Sequence, residues 1–255
     1  MSVTAEKSNK RVSILGCPLD LVNMESALDI AENYIKSAKS AHIITLNPEM
    51  IMQSANNPVL DEAIKNAELI IPDGIGIILT LRKLGIYNIE QLPGIEFSYN
   101  LIQKCVKNNY RVGFLGASKE VIECMIQEFT SKHPSMNIVF VRDGYFNAEQ
   151  ELGIVEDLKS SGVQVLFVAL GVPKQELWIK KYKEVLDTTV MVGVGGSFDV
   201  WAKKVKRAPL FFRKIGLEWF FRLISQPSRF SRMFPVLPLF FIKVMLDKKY
   251  TRKES

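Results

Sequence analysis

Six short apolar runs punctuate the first two hundred residues of this chain, and stretches with helical spacing separate them. The runs are HIITL, ELIIP, RVGFLG, NIVFV, VQVLFVAL and TTVMVGVG, each about the length of a buried strand. Between them, Met24, Leu28, Ala31 and Ile35 fall on one helical face. Leu60, Ile64 and Ala67 do the same in the next helix, with Asn57 as cap and Pro58 as first residue. The order from Asn147 to Gln150 has the form of a capping box. This βαβα alternation predicts an α/β fold: a mostly parallel sheet with helices on both faces. No repeat of solenoid period is present.

In such sheets ligands bind outside the carboxyl ends of the strands. Here those ends read TLNPE, PDGIG, GFLGAS, RDGYF, ALGVPKQE and GVGGSFD. Each joins glycine, which permits close backbone approach, to small polar or acidic residues. Asn47 predicts an N-cap and Pro48 a first helical position. Helix starts beyond the glycines offer free N–H groups and a positive dipole end. Several starts facing one cleft suit a diphosphate, which puts Gly116, Ser118 and Gly196 among the substrate-binding candidates. Each piece alone has a plainer explanation. GFLGAS is not GxGxxG. Asn47, Ser118 and Ser197 read equally as helix caps, Asp73 as a turn residue before Gly74, and Gln175 with Glu176 as an exposed helix start. Gathered at one sheet edge, the pieces favour a site.

Charge divides the chain. Residues 203–255 hold 14 Lys/Arg against 3 Asp/Glu, and 10 of the 25 aromatic residues, while the chain as a whole carries only +6. The expected organisation is a body, 1–202, and a basic, aromatic, helical appendage, 203–255. Such a segment meets something anionic. Its apolar run from Phe234 to Ile242 is nine residues with two prolines, far short of the ~20 that a span requires. Aromatics interleaved with Lys/Arg and flanked by Leu, Ile, Val and Met suit a peripheral anionic membrane surface better than nucleic acid. The first ten residues are polar, with no secretory signal. Three scattered cysteines fit a reducing compartment and small core residues. The two histidines and three cysteines show no metal-ligand spacing, and no Asp-x-Asp occurs.

The ordered set TLNPEM, PDGIGI, LPGIEF, GFLGAS, RDGYF, VALGVPKQELWI, GVGGSFDVWA, KRAP and GLEWFFRLISQPSRFSRM resembles the WecG/TagA/CpsF family of bacterial glycosyltransferases. The likeness covers about residues 12–235. It implies a Rossmann-like fold with a membrane-associating C-terminal appendage. It also implies transfer of a sugar, commonly N-acetylmannosamine, from a UDP-sugar donor to N-acetylglucosamine on an undecaprenyl diphosphate lipid, for teichoic acid or another surface glycan. Carried over residue by residue, it makes Asp73 the catalytic base and Thr45 and Asn47 site residues. It sets Gln175 in the donor pocket and Arg222, Arg229 and Arg232 as appendage arginines closing over the site. Two departures stand out. KRAP lacks a preceding glycine-containing turn, because Lys203 and Lys204 follow Trp201-Ala202. LPGIEF has Glu96 where Asp is frequent, and Gln91 stands where Arg is common.

These readings combine into an expected mechanism: inverting single displacement without a metal or other cofactor, on the cytoplasmic face of the cell membrane. Thr45 would hold the acceptor or reacting sugar, and arginines with helix N-termini would neutralise the departing diphosphate. Association into a homo-oligomer is compatible with the sequence. The alternatives are an NAD(P)-dependent oxidoreductase, which would need the missing GxGxxG and its acidic partner, and a non-catalytic membrane-associated nucleotide-binding module.

Overall fold

The computed structural model describes residues 10–214, 218, 221 and 236–247. It opens with a hairpin that the apolar runs do not announce: β1 (Arg11–Ile14) pairs antiparallel with β2 (Cys17–Asp20). Turn residues Leu15 and Gly16 both have positive φ, 48° and 91°, the conformation whose twist matches a two-residue hairpin. There follow α1 (Met24–Lys36), β3 (Ala41–Leu46), α2 (Pro48–Ser54), α3 (Pro58–Lys65), β4 (Leu69–Pro72), α4 (Ile75–Lys83), α5 (Gly94–Asn108) and β5 (Val112–Gly116). Next come α6 (Lys119–Lys132), β6 (Ile138–Arg142), α7 (Ala148–Ser161), β7 (Val165–Ala169), α8 (Lys174–Tyr182), β8 (Val190–Gly193), α9 (Ser197–Trp201), α10 (Leu210–Lys214) and α11 (Val236–Leu246). The six apolar runs are β3 to β8, in order.

These six strands form one parallel sheet in the order β4-β3-β8-β7-β5-β6. Side chains alternate across it. Ile43, Phe114, Phe167 and Val192 point to the face covered by α1, α5, α6 and α9. Ile44, Leu46 and Ile70 point to the face covered by α2, α3, α4 and α11, and Leu115, Val168 and Met191 to the part of that face under α7 and α8. Fully burying one such aliphatic or aromatic side chain contributes about 1.5–3 kcal/mol. On the first face Phe114 stacks between Phe129 and Phe167, with ring centroids 5.7 and 5.6 Å away, and Phe198 meets it edge-on. That cluster seats α6 and the short α9, and so fixes where their first turns lie.

The open edge at β4 is closed by the hairpin. Asp20, almost fully buried, accepts from Arg11 Nε and Nη2 at 2.8 and 2.9 Å and from the Ile70 N–H at 2.8 Å. A strand edge satisfied in this way offers no template for pairing with another chain. Cys17, Cys105 and Cys124 are free thiols, the first two buried.

Right-handed crossovers put the helix after a strand on one face or the other according to the direction of travel. The helix after β5, α6, covers the first face, whereas the helix after its neighbour β7, α8, covers the second. The neighbours β8 and β3 diverge in the same way, through α9 and α2. By the same measure β7 and β8 also diverge, through α8 and α9, so the carboxyl edge opens between β5 and β3, where ligands of such sheets bind.

Candidate active site

At the β3–β4 end, Asn47 caps α2: its Oδ1 accepts the Met50 N–H at 3.0 Å, and Pro48 takes the first helical position, as the sequence predicts. That bond uses the carbonyl end of the side chain. The Asp73 N–H donates to Leu46 O at 2.9 Å, which draws the Pro72-Asp73-Gly74 turn onto the end of β3. Gly74 has φ +93°, and a Cβ there would lie 3.5 Å from Pro48 Cδ and 4.0 Å from Asn47 Cβ. Asp73 is thus held beside Asn47, and both are half-buried. The third member, Thr45, lies beneath the first residue of α5. A Cβ on Gly94 would come within 2.8 Å of Thr45 Cγ2 and 3.0 Å of its Oγ1. Glycine there lets the positive end of a 15-residue helix rest on the threonine.

Between β5 and β7 three loops meet backbone to backbone. Gly116 has φ +129°, and a Cβ on it would strike Ala169 O at 2.4 Å. The Ala117 N–H donates to that carbonyl at 3.0 Å, and the Gly144 N–H donates to Ala117 O at 2.8 Å. Ser118 is the N-cap of α6, its Oγ accepting from the Val121 N–H at 3.3 Å. Gly196 is the N-cap of α9; Ser197, read from the sequence as a cap, is instead the first helical residue, and its Oγ donates to Val194 O.

Gln175 lies under this rim, 2% exposed. Its Oε1 accepts the Gly171 N–H at 3.1 Å and the Gly195 N–H at 3.0 Å, so one amide ties the loops after β7 and β8. Its Nε2 donates to Glu176 Oε1 at 2.8 Å. An exposed helix start, the plainer sequence reading, is therefore wrong for both residues. Residues 175, 178, 179 and 182 make a buried stripe, and that spacing was the available signal. Glu176 has no such signal, since a glutamate in a first helical turn ordinarily faces solvent. Burial pushes its carboxyl up to about 7, against the lowering pull of the bond from Gln175.

The C-terminal part reaches the first rim. Arg207 of KRAP and Arg213 of α10 both donate to Glu96 Oε1 in the first turn of α5. Gln91, Pro93, Glu96, Leu210, Arg213 and Glu218 line a cavity of about 240 Å³ beside Gly94. The Nε atoms of both arginines are buried with no hydrogen-bond partner among the described residues. Sequence reading singled out Glu96 and KRAP separately but not their pairing, which joins positions 111 residues apart. In place of the family's glycine turn before KRAP, Lys203 itself adopts φ +59° and closes α9 with N–H bonds to Val200 O and, from Lys204, to Asp199 O. Arg222, Arg229 and Arg232 lie outside the described residues.

Helix α11 docks on α2 and α4 through Phe240 and Val244, and Lys83 Nζ donates to Val244 O at 3.3 Å. Its other side leaves Leu239, Ile242, Met245 and Leu246 exposed. Among the described residues no helix is long and apolar enough to cross a membrane. Nor do any three His, Cys, Asp or Glu side chains among them gather as metal ligands would.

Residues 12–254 match the model of the glycosyl transferase WecG/TagA/CpsF family. The chain belongs to this family. It is 34% identical over 238 residues to the N-acetylglucosaminyldiphosphoundecaprenol N-acetyl-beta-D-mannosaminyltransferase of Bacillus spizizenii, covering 92% of this chain and 91% of that one. It is 31% identical over 259 residues to the protein of the same name from Staphylococcus aureus strain MW2, covering 99% of each. As a family member it is a glycosyltransferase, and the oxidoreductase alternative gains no support.

Proposed function

We propose that the protein moves N-acetylmannosamine from a UDP donor to the N-acetylglucosamine of an undecaprenyl diphosphate lipid, a hexosyl transfer in surface-glycan synthesis such as that of teichoic acid. The observation that carries this reading is the near end-to-end correspondence with relatives named for that reaction. The juxtaposition of Thr45, Asn47 and Asp73 supplies its chemistry.

In this reading the Asp73 carboxylate takes the proton of the acceptor hydroxyl as that oxygen attacks the anomeric carbon. The bond from that carbon to the UDP oxygen breaks on the opposite side, so the configuration inverts and UDP departs with its electron pair. A positioned base contributes ~10²–10⁴-fold. Thr45 and Asn47 orient the reacting sugar. Charge on the departing diphosphate is met by the N-termini of α6 and α8, by the backbone at Gly116 and Gly196, and by arginine. Arg207 and Arg213 lie at the other rim, where both donate to Glu96. Arg222, Arg229 and Arg232 complete the set in this proposal, and no metal is required.

Residues 203–255 are proposed as the membrane-facing appendage of a body spanning 1–202. Support comes from the outward apolar side of α11 and the excess of Lys/Arg in this segment. The enzyme would work as a peripheral protein on the inner face of the membrane, where a lipid acceptor resides. The test is an assay of purified protein against a panel of UDP-sugars with a short lipid-diphosphate N-acetylglucosamine acceptor, with and without EDTA. Product from UDP-N-acetylmannosamine in EDTA is expected. Product from a different donor alone would contradict the assigned sugar, and loss in EDTA restored by magnesium would contradict metal independence.

A further inference from the structure

Glu176 has no part in the transfer chemistry above, yet its surroundings are built around it. It is 1% exposed, and Oε1 accepts the bond from Gln175. Oε2 is buried with no hydrogen-bond partner among the described residues. Gly193 at the end of β8 makes room for the pair: a Cβ there would lie 2.6 Å from Gln175 Nε2 and 2.9 Å from Glu176 Oε1. As a space-filler, a carboxyl with one unsatisfied buried oxygen is a poor choice, because an apolar side chain of that size would avoid the desolvation.

What the carboxyl supplies is direction. An amide can present its oxygen or its NH₂ to a neighbour, and a flipped Gln175 would set NH₂ against the N–H groups of Gly171 and Gly195. Glu176 Oε1 can accept in either protonation state of the carboxyl. It therefore draws Nε2 to itself and turns Oε1 toward the two glycines. The chain of bonds runs Glu176 to Gln175 to the loops after β7 and β8.

We infer that Glu176 is a positioning residue for transfer, holding the Gln175 amide so that the glycine loops after β7 and β8 keep the shape that receives the donor diphosphate. This rests on the glycosyltransferase reading above. The test uses the full chain carrying Glu176→Met, which keeps volume but removes the acceptor, and Glu176→Gln, which restores an acceptor oxygen. Melting temperature, amide hydrogen exchange at 171 and 195, and donor KM and kcat are measured. The Met variant should melt no lower than the wild type. Its Gly171 and Gly195 amides should exchange about tenfold faster and its donor KM rise about tenfold, with a smaller change in kcat, as expected for one lost orienting hydrogen bond. The Gln variant should stay within about threefold of wild type in both readouts. Unchanged exchange and KM in the Met variant would overturn the inference, as would a Gln variant equally impaired. Faster exchange with unchanged KM would reduce Glu176 to a purely structural clamp and overturn its role in transfer. A wild-type protein that uses no UDP-sugar would overturn the underlying reading, and the inference with it, whatever the exchange shows.

Discussion

Asn47 accepts the Met50 N–H and stands beside Asp73, so truncating it would mix loss of a helix cap with loss of the proposed sugar contact. A cap removed to Ala costs about 1 kcal/mol. Asn47→Ser separates the two, because serine caps equally well but lacks the amide. The expected result is a melting temperature near that of the wild type and a transfer rate down about tenfold, the worth of one polar contact. An unchanged rate would leave Asn47 a cap and nothing more. At single residues the sequence was legible where one side chain acts on its own chain neighbours, as Asn47, Asn57, Ser118 and Asn147 do in capping. It was opaque where the partner is remote. Glu96 meets Arg207 and Arg213 only after more than a hundred residues have folded between them, and Glu176 is buried by β8, which no local spacing reveals.

Five of the six central strands were readable because each is buried on both faces, which leaves a short continuous apolar run; β6, at the sheet edge, is only half-buried yet keeps the run Ile138–Val141. The β1–β2 hairpin was not readable. Its strands are four residues each and include Pro18 and charged Arg11 and Asp20, and its stability comes from the Arg11–Asp20–Ile70 bonds to a distant strand edge. The end of α9 shows a local departure with a local answer. Lys203 occupies a left-handed conformation that costs a side-chain-bearing residue roughly 1 kcal/mol. Its ion pair with Glu128 is exposed and adds little. Lys203→Gly should therefore raise stability, by up to about 1 kcal/mol in urea denaturation, with transfer unaffected. A fall in stability would mean that the lysine contacts outweigh the backbone strain.

The whole molecule places an apolar helix beside the proposed base, Asp73. Phe240 and Val244 bind α11 to the body, and Phe240 Cε1 would lie 3.5 Å from a Cβ on Gly76, one turn from Asp73. Deleting 203–255 would consequently uncover core as well as remove the outward face. A cleaner variant carries Leu239→Ser, Ile242→Ser and Leu246→Ser, which leaves the inner stripe alone. Pelleting with anionic liposomes should fall at least about tenfold, while the melting temperature holds, since exposed aliphatic side chains each contribute more than 1 kcal/mol when buried in lipid. Undiminished pelleting would place membrane contact elsewhere. The account as a whole stands on Asp73 as the base at the end of β4. The most direct measurement is the single-turnover rate of Asp73→Asn with UDP-N-acetylmannosamine and the lipid-diphosphate acceptor, alongside UDP affinity. A rate lower by ~10²–10⁴ with UDP affinity unchanged is predicted; a rate equal to that of the wild type would contradict it.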